Sequence, residues 1–535
     1  MKKFSLLILS TLMIVGCGSS QPATPSSNVV DDDPKYALTY KGLRFYAKDL
    51  APSSYRLPQI DDKLFNTLSR EKKLLIADKL LSSLFFGYPL PTLKKRIDSG
   101  TFISSLQAQL KEKRNNSDNI EALIRDKKFF FRANYTNDEV LNILARFYAM
   151  DALDSYYLEN WIAYILTQTI MFSPAYELES SHEPNTKRVY NALVRNLKEE
   201  ATLSYSTYLH MISSDNWRRF RSPEDNGREM MEIYALIFDD SKVPIAGKAL
   251  QNWKLDRDND TLVIGLDENT KPLSLFGTTI YNGDDFYREL AKSKAFQEGV
   301  TSRLVDFFFT NNTPDSKKKI LQDILKSNPQ KWQDILLQIL FSKTYLLDST
   351  RAKSAEETFY SLAKKMEYKH YQRSFVNFSH ALEDMHQASM KYKLGKLKRV
   401  PLDTLSFINY HKFIRENIMV RYTSAKKLDN YKDYNSHGWK PSFIADERFD
   451  INANNPKSTL DAFIHYLFES TISRKANAKE LALFEKQMIE SDAGTLVYVS
   501  GFDLLDMDER TNAAILILDY ISRLDALYQY KKAQS

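Results

Sequence analysis

The chain has 535 residues, of which 43% are hydrophobic, and a formal net charge of +6 from 74 basic and 68 acidic side chains. This length predicts two or three domain-sized units, with ample apolar content for their cores. Basic and acidic residues are interspersed, which argues against a nucleic-acid-binding surface. The single cysteine excludes a fold held together by intramolecular disulfides.

The N-terminus has the pattern of an export signal. Lys2 and Lys3 precede an apolar run, Phe4 to Ile14, which is too short to span a bilayer as a stable helix. Residues 1–16 are therefore predicted to be a signal peptide, and the only cysteine, Cys17, follows directly.

The sequence Ile14-Val15-Gly16-Cys17 resembles the lipobox of bacterial lipoproteins. The resemblance implies cleavage before Cys17 and a covalent lipid on its thiol, so that acyl chains attach the protein to a membrane without a transmembrane segment. An aspartate after the cysteine often retains a lipoprotein at the inner membrane, but here Gly18 and Ser19 follow it. This favours the outer membrane of a two-membrane envelope, or the outer face of the cell membrane where there is only one.

The remaining chain divides by composition. Residues 17–40 are mostly small, polar and punctuated by proline, so we expect a flexible tether after the lipidated cysteine. An N-terminal helical region (41–189), a helical core (190–425) and a loop with a C-terminal helical region (426–535) follow. The region Tyr431–Pro456 is predicted to be a long surface loop.

Helical periodicity dominates these regions, and only short runs such as Thr261–Leu266 and Thr495–Val499 have strand character. The predicted fold class is mainly α, with one or more large multi-helix domains and short strand segments. The predicted helices are Asp61–Phe86, Asp138–Leu153, Asn160–Thr169, Val189–Met211, Asp284–Thr310, Ser316–Lys326, Gln330–Leu347, Ser354–Lys365, Ser374–Lys393, Leu460–Glu469, Ala478–Ile489 and Glu509–Tyr528.

One predicted helix carries a cluster of charged residues. The segment RSPEDNGREMMEIYALIF begins with Ser222, a good N-cap, and Pro223, which suits the first helical position. Arg228 is four residues from two glutamates, so one arginine can lie between two carboxylates, and a second pair of acids, also four apart, places like charges together. The cluster consists of Glu224, Asp225, Arg228, Glu229 and Glu232.

Two interpretations of this cluster stay open. In the first, the acids and the arginine line a cleft, where a raised carboxylate pKa supports acid–base chemistry or holds a cation. In the second, they are a solvated or structural ion-pair network that orients the helix.

The same segment resembles the bacterial domain-of-unknown-function family numbered 1800. The resemblance rests on G-R-E-M-M-E-I-Y, then A-L-Q-N-W ending at Trp253, then L-D-E-N-T-K, which contains Asp267 and Lys271, and it extends from about Tyr190 to Met366. It implies an exported, mainly helical protein that is often encoded beside a second exported family, numbered 1501, and it implies no activity. Trp253, Asp267 and Lys271 become possible neighbours of the charged cluster.

This chain departs from the family pattern at several positions. Asp225 replaces an asparagine, Asn226 an aromatic residue, Leu266 a histidine and Asn269 a glycine. Since a leucine neither binds a metal nor transfers a proton, any chemistry that depends on that histidine is lost or replaced here.

Other motifs are weak. Asp256, Asp258, Asp260 and Asp267 have the spacing of an EF-hand loop, but the position that requires glycine is a threonine, so a polar turn is the default interpretation and no metal is predicted. No zinc-protease, serine-hydrolase, P-loop or dinucleotide motif occurs, and no cofactor is predicted apart from the lipid.

We therefore expect an envelope lipoprotein that acts as a binding or assembly partner for another exported protein, such as a member of family 1501, and we favour this over an enzyme. Two alternatives stay open. One is an envelope hydrolase with Glu229 or Asp225 as base and Arg228 as anion stabiliser. The other is a polysaccharide-binding module with exposed tryptophans and tyrosines.

Overall fold

A computed structural model of the chain shows a mainly α-helical protein with short strand pairs. The signal peptide, Cys17 and most of the predicted tether lie outside the described residues, as do the predicted strand 495–499 and most of the helices predicted at 138–153 and 374–393. The structure describes residues 29–30, 50, 53–113, 143–144, 147, 156–171, 186–218, 222–259, 261–367, 382, 385, 387, 404–417, 456–489 and 507–533.

The N-terminal region contains five described helices. The single helix predicted over Asp61–Phe86 is two helices, because the chain is extended at Leu68 and the side chain of Ser69 accepts a hydrogen bond from the backbone N–H of Lys72 and starts a new helix. The helices are α1 (Asp62–Thr67), α2 (Arg70–Phe85), α3 (Leu90–Asp98), α4 (Phe102–Leu110) and α5 (Tyr157–Thr169).

The central region begins with three helices. The helix predicted over Val189–Met211 is broken at Glu200, which has a φ of +61°, and Thr202 caps the second half. The helices are α6 (Thr186–Lys198), α7 (Leu203–Met211) and α8 (Ser214–Trp217).

Next come α9 (Pro223–Ala235), a short 3-10 turn (Asp240–Lys242) and α10 (Val243–Ala249). Two antiparallel hairpins follow, of which the first joins β2 to β3 and the second β4 to β5. The strands are β2 (Trp253–Asp256), β3 (Thr261–Ile264), β4 (Leu273–Leu275) and β5 (Thr278–Ile280).

A further strand, β1 (Val29–Val30), pairs antiparallel with β3, with Val29 opposite Val263 and Val30 opposite Leu262. These two residues belong to the segment predicted to be a flexible tether. The pairing gives β3 a partner on each side.

The remaining helices complete the body. The helix predicted over Asp284–Thr310 is divided by Ser293, whose side chain caps the second half. The described helices of this part of the chain are α11 (Gly283–Lys292), α12 (Lys294–Phe308), α13 (Pro314–Lys326), α14 (Trp332–Leu340), a π-helical turn (Thr344–Asp348), α15 (Ala355–Lys365), α16 (Thr404–Asn417), α17 (Pro456–Ile472), α18 (Ala478–Ile489), α19 (Met507–Ile521) and α20 (Asp525–Tyr528).

A short strand pair ties the C-terminus to the middle of the chain. Strand β6 (Arg351–Ala352) pairs antiparallel with β7 (Gln529–Tyr530). Buried apolar side chains from Leu57 to Ala533 form one connected cluster, which contains residues of all three predicted regions. Among the helices of the described ranges, none is both long enough and apolar enough to cross a bilayer.

Helix α9 packs closely against its neighbours through glycine. A Cβ atom added to Gly227 would lie 2.6 Å from Cβ of Ala246 on α10, and one added to Gly299 on α12 would lie 2.3 Å from the carbonyl oxygen of Tyr234. Because real Cβ atoms do not approach this closely, both positions require glycine in this packing. The inner face of α9 is thereby fixed and its outer face is left to the charged cluster.

Candidate functional site

Helix α9 begins where the sequence predicts. The side chain of Ser222 accepts a hydrogen bond from the backbone N–H of Asp225 at 3.1 Å, and Pro223 is the first helical residue. Glu224 and Asp225 lie in the first turn, where negative charge is favourable because of the unpaired backbone N–H groups and the helix dipole.

Arg228 makes different ion pairs from those expected. Its Nη2 atom lies 2.8 Å from Oδ1 of Asp225 and 3.7 Å from Oε1 of Glu229, and it does not pair with Glu224 or Glu232 among the described residues. The arginine therefore lies between the two acids that were expected to repel each other. The hydrogen bond with Asp225 raises the pKa of Arg228 above its usual value.

The charged cluster stands on an open surface. Arg228 is 43% exposed, Asp225 29% and Glu229 23%. Glu224, Asp225 and Arg228 border a solvent-open depression of about 710 Å³, whose opposite side is formed by Asp240, Val243 and Pro244. Water reaches these carboxylates, so the arrangement can attract and orient a charged partner but does not form a dry pocket.

Both ends of α9 are fixed by contacts that the sequence did not indicate. A Cβ atom on Gly247 of α10 would lie 3.0 Å from Cβ of Glu224, so Glu224 marks the crossing of the two helices. At the other end, Arg303 Nε on α12 donates to the carbonyl oxygen of Ile233 at 2.6 Å, and its Nη2 donates to that of Glu232 at 3.2 Å. A cation at this end is favourable because the last carbonyl groups of a helix carry partial negative charge.

Trp253 belongs to the core and not to the exposed cluster. It is 2% exposed, with its ring centroid 6.2 Å from that of Trp217 and 5.3 Å from that of Tyr287. Tyr287 in turn donates a hydrogen bond to buried Asn226 Oδ1 at 2.7 Å. Asn226 is thus a core polar contact.

Asp267 and Lys271 lie on an exposed loop after β3, and neither pairs with Arg228 among the described residues. The loop is held by Asn269, whose Nδ2 donates to the carbonyl oxygens of Lys271 at 2.7 Å and Tyr281 at 2.6 Å. Leu266, at the start of this loop, is 76% exposed.

The calcium candidate lies at a β-hairpin turn. Asp256 ends β2, and its Oδ1 accepts hydrogen bonds from the backbone N–H groups of Asp258 at 3.1 Å and Asn259 at 3.2 Å. Asp260 lies outside the described residues, and within them no group of three or more acids, histidines or cysteines is suited to holding a metal ion. The carboxylate of Asp256 thus serves to organise the turn.

A second charged constellation, missed from the sequence, is buried where α2, α15 and the β6–β7 pair meet. The guanidinium of Arg351 is fully buried and forms a two-pronged ion pair with Glu357, whose Oε2 lies 2.9 Å from Nη1. It also donates to Ser83 Oγ at 3.0 Å and lies 4.8 Å from the ring centroid of Tyr530. Such pairing is what makes a buried charge tolerable.

Beside it, Lys365 Nζ lies 2.6 Å from Oδ1 of Asp78, and Lys353 is buried next to both. Burial alone would raise the pKa of Asp78, but the charges of Lys365 and Lys353 lower it overall. Burial, reinforced by the charge of Lys365, lowers the pKa of Lys353 to about 7. In the sequence these residues look like ordinary charged positions on helices and turns, and only their burial distinguishes them.

Neither a comparison with protein-family models nor searches of curated proteins and solved structures find a match to this chain. The resemblance to family 1800 therefore stays a prediction, and the site is interpreted from its own geometry.

Proposed function

We propose that this chain is a lipid-anchored protein of the bacterial envelope that binds another exported protein through the outer face of α9. We name this surface the α9 acidic face and define it by Glu224, Asp225, Arg228, Glu229, Glu232 and Asp240. The observation that carries the proposal is the exposure of this cluster on an open surface depression.

Charge indicates the chemistry of the partner. The face contains five carboxylates and one guanidinium, so it attracts a surface rich in lysine and arginine. Such complementarity raises the rate of association and selects the partner more than it raises affinity. A member of the exported family numbered 1501, which the resemblance to family 1800 implies as a genomic neighbour, is the first partner to test.

The open geometry favours binding over hydrolysis. A general base needs a pKa near the working pH, which normally requires burial or a close second acid. Here Asp225 and Glu229 are both partly exposed to water and each lies close to Arg228, so the arrangement is not a dry acid pair. The alternative polysaccharide module with exposed tryptophans is not favoured either, since the four tryptophans in the described ranges, Trp161, Trp217, Trp253 and Trp332, are buried.

The test is site-specific crosslinking in native membranes. A photo-crosslinking amino acid in place of Arg228 should trap a partner, whereas the same amino acid in place of exposed Glu298 on α12 should not. Adding Glu232→Lys to the protein with the crosslinking amino acid at Arg228 should reduce capture of the partner. Added salt should do the same, because exposed charge pairs are screened. Equal capture from both positions, or no capture from Arg228, would contradict the proposal.

A further inference from the structure

A second cavity lies between α4, α5 and α14, away from the α9 acidic face. It encloses about 950 Å³ including its open mouth, and Leu110, Leu158 and Leu337 form its apolar walls. Glu159 on α5 and Gln333 on α14 supply polar atoms to its lining. A concave site with apolar walls and a few placed polar groups is the usual form of a small-ligand site.

Two acceptor atoms in this cavity lack donors. Glu159 is 4% exposed, and among the described residues no donor reaches its Oε2 atom. Gln333 Oε1 is buried and unpartnered in the same part of the structure. Burial raises the pKa of Glu159, and its own backbone N–H and the charges of Lys113 and Lys198 oppose the shift. Leaving a buried carboxylate oxygen without a donor is costly, which is unusual in a folded protein.

Of the other charged groups that line the cavity, Lys111 is exposed to solvent, and the remaining ones have partners. Lys113 and Lys331 both pair with Glu200, the second at 3.6 Å from Nζ to Oε2. Asp334 accepts hydrogen bonds from Ser53 Oγ at 2.9 Å and from the backbone N–H of Lys331 at 3.1 Å. Among the described residues no cation reaches Glu159 Oε2, so this atom is left for a donor on a ligand.

We infer that this cavity binds a ligand bearing a primary ammonium group on a short apolar chain, with Glu159 as the charge partner and Gln333 as a second acceptor. An ammonium group has three donors and no acceptor, which matches two unpartnered acceptors better than a hydroxyl group does. The leucine walls suit the methylene chain that carries it. A free aliphatic amine and a lysine side chain of a peptide share this chemistry.

The test is calorimetric titration of the full-length protein in detergent with three probes of similar length: cadaverine, lysine capped at both backbone ends, and neutral 1,5-pentanediol. We expect an amine to bind and the diol not to bind. Cadaverine binding would identify a free-amine site, and binding of capped lysine alone a peptide site. The Glu159→Gln variant, which keeps the side-chain shape, should weaken amine binding roughly ten- to a hundred-fold, the usual range for a hydrogen bond to a charged group.

Matched measurements keep the inference falsifiable. Glu298→Gln, on an exposed position of α12, should bind the amines like the wild type. The midpoint of urea unfolding of Glu159→Gln should equal or exceed that of the wild type, because the variant no longer buries an unpaired charge. Absence of amine binding, unchanged binding by Glu159→Gln, or equal binding of the diol would each overturn the inference.

Discussion

The ammonium group of Lys365 lies 2.6 Å from Oδ1 of Asp78, and both side chains are almost completely buried. Ser82 Oγ donates a second hydrogen bond to the same carboxylate oxygen at 2.7 Å. Neutralising Asp78 would leave the buried ammonium group of Lys365 without the carboxylate that pairs with it. The stability of this region therefore depends on all members of the buried cluster being present together, and not on one ion pair alone.

We expect Asp78→Asn to lower the free energy of unfolding by about 3–5 kcal/mol, as when one partner of a buried ion pair is removed. Urea unfolding measures this. Asp98→Asn is the control, because Asp98 and its partner Arg70 are both about half exposed and such pairs contribute at most about 1 kcal/mol. If the double variant Asp78→Asn/Lys365→Met were as unstable as the sum of the two single variants, the pair would not be coupled.

Stability should rise with pH between about pH 7 and pH 10 because of Lys353. Its pKa is lowered from 10.5 to about 7, so in this window the folded state holds a neutral amine while the unfolded chain binds a proton. The unfolded state then binds more protons, and raising the pH favours the folded state. As the pH falls through this window the stability is lost, and below about pH 7 both states bind the proton, so Lys353 contributes no further pH dependence.

In the Lys353→Met variant, the free energy of unfolding should rise less between pH 7 and pH 10, by an amount on the order of a few kcal/mol. It should not vanish, because burial also lowers the pKa of Lys79. Urea unfolding at several pH values tests this, with Lys326→Met, a 66% exposed lysine, as control. An unchanged slope in Lys353→Met would show that Lys353 is not the titrating group.

Gly227→Ala should destabilise the protein by about 1–3 kcal/mol, the usual range for overpacking a tight interior contact. The added Cβ would lie 2.6 Å from Cβ of Ala246, so α9 and α10 must move apart. Helix propensity alone predicts the opposite sign, because alanine favours a helix more than glycine by about 0.5–1 kcal/mol. Thermal unfolding distinguishes these two signs. Gly265→Ala is the control and should be close to neutral, because its added Cβ would lie 3.4 Å from the nearest contact, the carbonyl oxygen of Asn252.

Arg228→Ala should change the free energy of unfolding by less than about 1 kcal/mol, because its pairs with Asp225 and Glu229 are solvent-accessible. The same experiment on Arg351→Ala should give a much larger loss, since that guanidinium is fully buried. A large loss in Arg228→Ala would mean that the α9 acidic face is a structural network and would weaken the case for an interaction surface.

Cys17→Ser should abolish labelling by a fatty-acid analogue and leave an unprocessed precursor, because the hydroxyl group replaces the thiol that carries the lipid. Metabolic labelling and membrane fractionation measure both effects. Ser19→Ala, two residues away, is the control and should be labelled and cleaved like the wild type. Unchanged labelling in Cys17→Ser would refute the lipoprotein prediction.

Local signals in the sequence were enough to predict the fold class and the start of α9. Helical periodicity predicted most of the described helices, and Ser222 with Pro223 marked the N-terminus of α9, because capping depends on residues within one turn. Several predicted helices are nevertheless divided: Glu509–Tyr528 contains α19 and α20, Gln330–Leu347 contains α14 and a π-helical turn, and three others are interrupted by internal caps. The apolar spacing continues across Ser69, Thr202 and Ser293, and the internal caps at these residues outweigh it.

The candidate site was predicted in composition but not in pairing. The sequence places Arg228 within about one turn of four acids, and their spacing alone does not select the pairs with Asp225 and Glu229 that the structure shows. Trp253 was expected near the cluster but is buried beside Trp217, because the β2–β3 hairpin turns its side chain into the core.

The sequence by itself determined the helical class, the N-cap of α9 and the charged composition of its outer face, all of which depend on neighbours within a few residues. Only the tertiary structure decided which charges are buried. Lys353 and Asp78 are 275 residues apart in sequence, and Glu159 and Gln333 are 174 apart, yet each pair meets in one environment. Burial, and the pKa shifts that it causes, arise from contacts between residues far apart in the sequence. Local sequence patterns therefore do not predict them.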